Sequence, residues 1–151
     1  MVLSFHIMMN RNLEPGGWLE MQDIDTRYYC DDGSFKPDDP LVEWQDLINK
    51  AAEISGRIIA TGPTFKSGLA RAGFEDIHEK IVKAPCGLWP ADKKEKEIGL
   101  YQREMMVEGL EGMSIALFTR FLQWDPKRVS ELVERAKKTF LNRKVHIYTN
   151  W

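Results

Sequence analysis

The chain has 151 residues, 43% of them hydrophobic and 29% charged, which is one domain's worth of polypeptide with enough apolar material for a core. Its 21 basic and 23 acidic residues leave a formal charge of -2, so no basic field exists to hold nucleic acid directly. No run approaches the roughly 18 apolar residues of a membrane span; residues 1–10 lack the basic region and cleavage site of a signal peptide, and the two cysteines make no CxxC and fit a reducing compartment, cytoplasmic or nuclear.

Residues 3–13 read as the last turns of a helix, stopped by Pro15, Gly16 and Gly17. Residues 18–23 follow as a short strand, with Leu19 and Met21 on one face. The stretch 24–39 is a loop, and Asp31-Asp32-Gly33-Ser34 in it is turn chemistry. Asp39-Pro40 then opens a helix to about residue 55: Asp suits the N-cap, Pro suits the first turn, and Leu41, Trp44, Ile48, Ala51 and Ala52 form one apolar stripe. A short helix spans 64–71, and 74–84 alternates as a strand that Pro85-Cys86-Gly87 terminates. A long helix starts at Asp92. The two glycines of Gly109-Leu110-Glu111-Gly112 predict an interruption, with a second helix over 114–123. Asp125-Pro126 repeats the capping device and starts a third helix, and 145–150 is a final strand.

The order predicts an α/β fold with a helical run, 92–142, inserted between the last two strands. Three strands are few for an α/β sheet. Both ends are apolar and read as interior elements of something longer, which gives the same expectation of a partial domain.

Most catalytic signatures are missing. There is no GxG, no GxxxxGK[ST], no GxSxG and no HExxH. His6, His78 and His146 lack metal-ligand spacing, and Cys86 has no base nearby in sequence. No catalytic residue and no metal ligand can be assigned. The basic residues around 135–144 read as a wet helix face.

One segment carries more. A helix ending in Leu13-Glu14-Pro15-Gly16-Gly17 before an apolar strand resembles the turn into the fifth strand of class I S-adenosylmethionine-dependent methyltransferases. Leu69-Ala70-Arg71-Ala72-Gly73-Phe74, Pro85-Cys86-Gly87-Leu88-Trp89-Pro90, Glu108-Gly109-Leu110-Glu111-Gly112 and Val145-His146-Ile147-Tyr148 extend the likeness across nearly the whole chain. Together they resemble the fungal methyltransferases of the LaeA-like type, in their C-terminal half.

That resemblance implies a partial Rossmann-like sheet made of the last three strands, with 1–151 as the C-terminal part of one domain and 92–142 as its helical cap. It implies S-adenosyl-L-methionine as cofactor of the parent domain. The glycine loop and ribose-binding acid that hold this cofactor lie upstream in the family and have no counterparts here. No cofactor-binding residue is carried over, and the chain alone is expected neither to bind the cofactor nor to be active. The implied strand order sets 18–23 beside 145–150 and that strand beside 74–84, leaving the other edge of 18–23 bare. Ligands in this fold bind at the carboxyl ends of strands, so the substrate-pocket expectation names Gln22, Asp23, Asp25 and Tyr28, with Trp89 and Tyr101 from the cap. The implied acceptor is a small metabolite or a protein, and velvet-type regulatory proteins are implied partners. The alternative is a non-catalytic, methyltransferase-like interaction module or regulatory remnant.

Overall fold

The computed structural model describes the backbone of residues 2–59 and 61–151 and the side chains of 6–59 and 61–151. The side chains of Val2, Leu3 and Phe5, part of the apolar opening, lie outside the described residues. Five helices and two strands follow in the order α1 (Val2–Arg11), α2 (Pro40–Ile54), α3 (Phe65–Arg71), β1 (Lys83–Cys86), α4 (Lys93–Phe121), α5 (Pro126–Leu141) and β2 (Ile147–Asn150), with one 3-10 turn (Gly62–Thr64) ahead of α3.

The helix starts obey local chemistry. Asp39 accepts the Leu41 amide at 2.8 Å, Asp92 the Glu95 amide at 2.9 Å and Asp125 the Lys127 amide at 2.9 Å. Each satisfies a donor that the first turn would otherwise strand. Pro40 and Pro126 occupy positions whose missing N–H costs nothing.

The core lies where α2, α4 and α5 meet the two strands. Leu41, Leu110, Phe118, Val129, Val133 and Ile147 are wholly buried. Burying each such side chain contributes roughly 1.5–3 kcal/mol. A deep polar pair there is satisfied: Trp44 Nε1 donates to Ser114 Oγ at 2.7 Å, and that hydroxyl donates to the Leu110 carbonyl at 2.5 Å. A smaller packing unit joins α1 to α3, where His6 is buried edge-on to Phe65 with ring centroids 6.0 Å apart. Asn10 Nδ2 donates to the Ala72 carbonyl across the same contact at 2.7 Å.

Three expectations are corrected. First, α4 runs unbroken through Gly109 and Gly112 for 29 residues. Two glycines cost about 2 kcal/mol in all. The buried face through Met106, Leu110, Ser114 and Phe118 continues at helical spacing across them and outweighs that penalty. The helical run expected over 92–142 is thus two helices, α4 and α5, lying between β1 and β2 in the chain.

Second, the sheet has two strands and not three. β1 and β2 pair antiparallel, Ala84 opposite Thr149 and Cys86 opposite Ile147. Residues 18–23 form no strand, and Trp18 is 81% exposed. The free side of β2 is met by the next segment of the loop. The Asp25 amide donates to the Asn150 carbonyl at 2.8 Å, and Tyr29 exchanges both backbone bonds with Tyr148 at 2.8 and 3.0 Å. β2 is therefore central, between β1 and residues 25–29. A strand exists only where a neighbour completes its ladder, and 18–23 has none among the described residues.

Third, most of the strand expected over 74–84 is irregular. Only its last two residues lie in β1, and Pro85 and Cys86, expected to end the strand, belong to it. Val82 adds one further pair of backbone bonds, to Trp151, at 2.7 and 2.9 Å. Pro85 is tolerated because β1 is an edge.

Candidate functional site

The densest polar arrangement lies where the 23–34 loop folds over β2. Tyr148 donates from its hydroxyl to Asp31 Oδ1 at 2.7 Å, and Lys83 Nζ donates to Asp31 Oδ2 at 2.5 Å. That ammonium also stands 4.5 Å from the Tyr148 ring centroid. Tyr29 stacks on Tyr148 and donates its hydroxyl to Asp25 Oδ2 at 2.5 Å. On the neighbouring residue, His146 Nδ1 lies 2.5 Å from Asp32 Oδ2, and Trp89 stacks on the His146 ring. The Cys30 thiol donates to Asp32 Oδ1 at 3.0 Å, and the Ser34 amide donates to the same oxygen at 2.9 Å.

The electrostatics follow from these contacts. The Cys30 thiol, Ser34 and His146 hold the Asp32 carboxyl well below the usual carboxylate range. The Lys83 ammonium, then the Tyr148 hydroxyl, lowers Asp31, and Asp31 in turn raises Lys83. Donation to Asp25 pushes the Tyr29 phenol up to about 12. Asp31, Asp32 and Lys83 thus remain charged across the neutral range. The arrangement fastens a loop to a strand with charge-assisted bonds.

The six residues expected to line a substrate pocket do not converge. Gln22 is exposed and donates to Glu20 at 2.7 Å. Asp23 accepts from the Thr61 hydroxyl and from the Ile24 amide. Asp25 is buried, with its carboxylate taken up by Tyr29 and the Arg27 amide. Tyr28 is half-buried and packs against the core: its ring meets Phe140 edge-on at 5.2 Å, and burial raises its phenol pKa well above the usual value. Trp89 donates to the Ile147 carbonyl at 3.0 Å and so braces β2. Tyr101 is 68% exposed on the outer side of α4. Asp25, Tyr28 and Trp89 thus gather around β2, while Gln22 and Tyr101 face solvent.

Sequence reading placed Asp31 and Asp32 in a turn, which is half of what they do. Asp32 does accept the Ser34 amide. Its bond to His146, 114 residues away, has no local signal. Cys86 is buried and its thiol is pushed up to about 12, chiefly by burial, which makes it a core residue and a poor nucleophile.

The described residues do not fit S-adenosylmethionine. Its adenosine and sulfonium need a deep cleft with a backbone cradle and a disengaged acid. The open groove along α5, of about 530 Å³ and lined by Lys127, Glu131, Glu134 and Arg135, is not such a cleft. Both acids of the expected pocket, Asp23 and Asp25, already have donors inside the chain. No group of His, Cys, Asp and Glu among the described residues could hold a metal ion. No described helix is long and apolar enough to cross a membrane.

Comparison with known proteins shows which sequences this chain is similar to. No protein-family model matches the chain. No solved structure matches it either. Among curated proteins, the secondary metabolism regulator LAE1 of Cochliobolus heterostrophus is 36% identical over 92% of this chain and 46% of its own length. The methyltransferase pytC of Aspergillus terreus is 34% identical over 89% of this chain and 42% of its own length. The protein-methionine methyltransferase laeA of Emericella nidulans is 32% identical over 91% and 37%. About nine-tenths of this chain is therefore similar in sequence to a fungal secondary metabolism regulator and to fungal methyltransferases, and it spans less than half the length of each.

Proposed function

We propose that the chain is the C-terminal, acceptor-side part of a LaeA-like S-adenosylmethionine-dependent methyltransferase domain, and that it transfers no methyl group by itself. The observation that carries this reading is the order 25–29, β2, β1, with α4 and α5 inserted ahead of β2. The resemblance implies the same lateral order, with the first element drawn from 18–23. In the complete domain the glycine loop and ribose-binding acid come from outside these 151 residues. The acceptor is a small metabolite or a protein, as the names of the relatives span both regulator and methyltransferase. A velvet-type protein is the proposed partner in the regulatory case.

Calorimetric titration of S-adenosylmethionine into the purified chain is expected to give no saturable heat. A saturable isotherm would overturn the claim that the cofactor half lies elsewhere. Fusing the remaining portion of the Cochliobolus relative ahead of this chain should restore binding. A fusion that folds and still does not bind favours the second reading, a non-catalytic module. That reading draws support from Asp23 and Asp25, whose carboxylates already have internal donors.

A further inference from the structure

The glycines of α4 differ in what requires them. A methyl group on Gly99 would run into the Gly87 carbonyl, so close packing against the β1–α4 turn explains that glycine. A methyl group on Gly112 would meet nothing within 4 Å, and one on Gly109 would meet only the end of Met113 at 3.5 Å. Each glycine costs a helix interior about 1 kcal/mol relative to alanine. No contact among the described residues needs either of these two.

The same outer side of α4 carries Ile98, Tyr101 and Met105, which are 38%, 68% and 53% exposed. Positions 98, 101, 105, 108 and 112 step by three and four residues, the spacing with which one helix seats on another. This seam lies opposite the buried Gly99, Met106, Leu110 and Ser114. Along it stand Glu97, Glu104, Glu108 and Glu111, all exposed. The one cation between positions 97 and 111 is Arg103, whose side chain is only 16% exposed and is bound to Glu104. An antiparallel second copy of α4 would bring the acidic row at 97, 104 and 111 against itself. A parallel copy would set that row beside Gln102 and Gly109, which offer no cation.

We infer that the outer face of α4 docks an amphipathic helix of a partner protein, one whose apolar seam is flanked by Lys or Arg. Its apolar side chains cover Ile98, Tyr101 and Met105. Its cations meet the glutamates, and the glycines let the two backbones approach. This surface is independent of whether the chain takes part in methyl transfer.

The probe is a fluorescein-labelled model helix with a leucine seam and lysine flanks, compared with the same helix carrying glutamate flanks. Anisotropy titrations against the whole chain should show saturable binding of the lysine peptide, at least about tenfold tighter than that of the glutamate peptide and weaker at high salt. Tyr101→Ser combined with Met105→Ser should weaken it about tenfold or more. Glu97→Lys with Glu108→Lys, which leaves two lysines beside two glutamates along the seam, should abolish the preference between the peptides. Trp18→Ser, an exposed aromatic elsewhere, should change nothing. All these positions are exposed, and matching circular dichroism and melting curves check that each variant folds. Equal binding of both peptides, or binding indifferent to the α4 variants, overturns the proposal. So does a Tyr101-dependent dimer of the chain itself in sedimentation equilibrium.

Discussion

Residues 126–141 and residues 18–23 are both amphipathic segments whose patterns predict regular structure, yet only the first forms it. α5 closes its own backbone hydrogen bonds, so its stripe of Val129, Leu132, Val133, Ala136 and Phe140 needs only a surface to lie on. Residues 18–23 can satisfy no backbone group internally. Without a neighbouring strand their alternation leads nowhere, and Trp18 stays in solvent. A helix is a property of its own sequence plus one face. A strand is a property of two or three distant segments together.

The largest way to test that contrast is in the helical core. Phe118→Ala removes a wholly buried ring that packs edge-on to Trp124. It should cost about 3–5 kcal/mol in urea unfolding. A loss below about 1 kcal/mol would mean that the α2–α4–α5 junction is not the centre of stability.

The two ends of α4 offer an internal control. Gly99→Ala forces the turn at Gly87 to shift and should destabilise by about 1–3 kcal/mol. Gly112→Ala enters open space and should stabilise by up to about 1 kcal/mol, because alanine suits a helix interior better. Opposite signs in melting temperature are the expected result.

Acid probes the latch between the 23–34 loop and β2. Asp31 and Asp32 have folded pKa values below their ordinary ones, so what they contribute is present above the usual carboxylate range. It is lost as pH falls through the lowered values. The D31N/D32N double variant should therefore melt below the parent at neutral pH, and the gap should close progressively below about pH 4. A gap that stays constant down to pH 2 would show that the latch contributes nothing through charge. The smallest effect belongs to Trp18→Ala, which should stay within about 0.5 kcal/mol, as no packing is removed.

The helices were legible because their signals are local. The Asp39-Pro40 and Asp125-Pro126 pairs and the stripes behind them specify α2 and α5 without reference to anything remote. The misreading of Gly109 and Gly112 as a break came from weighing propensity alone, when Leu110 and Phe118 hold both sides of the gap to one core. Of the sheet, only the pairing of its last two strands, which the resemblance implies, was legible. The shift of β2's partner from 18–23 to 25–29 depends on Asp25 and Tyr29 meeting residues more than 115 positions away. The polar cluster was half legible: turn chemistry marks Asp32 and Ser34, but nothing near His146 in sequence points to Asp32. Of the expected pocket, Tyr28 and Trp89 read as pocket liners, and the structure sets one against Phe140 and the other on the Ile147 carbonyl.

The central position of β2 has a kinetic consequence. Both of its neighbours, 25–29 and 83–86, are synthesised well before it, and neither can pair until residues 147–150 have left the ribosome. Until then α2, α4 and α5 can form, while Tyr29 and Cys86 wait with open backbone groups. Closure of such distant loops is slow compared with helix formation. Pairing of β2 with both neighbours is therefore a late step in the assembly of these residues, after the helices that flank it.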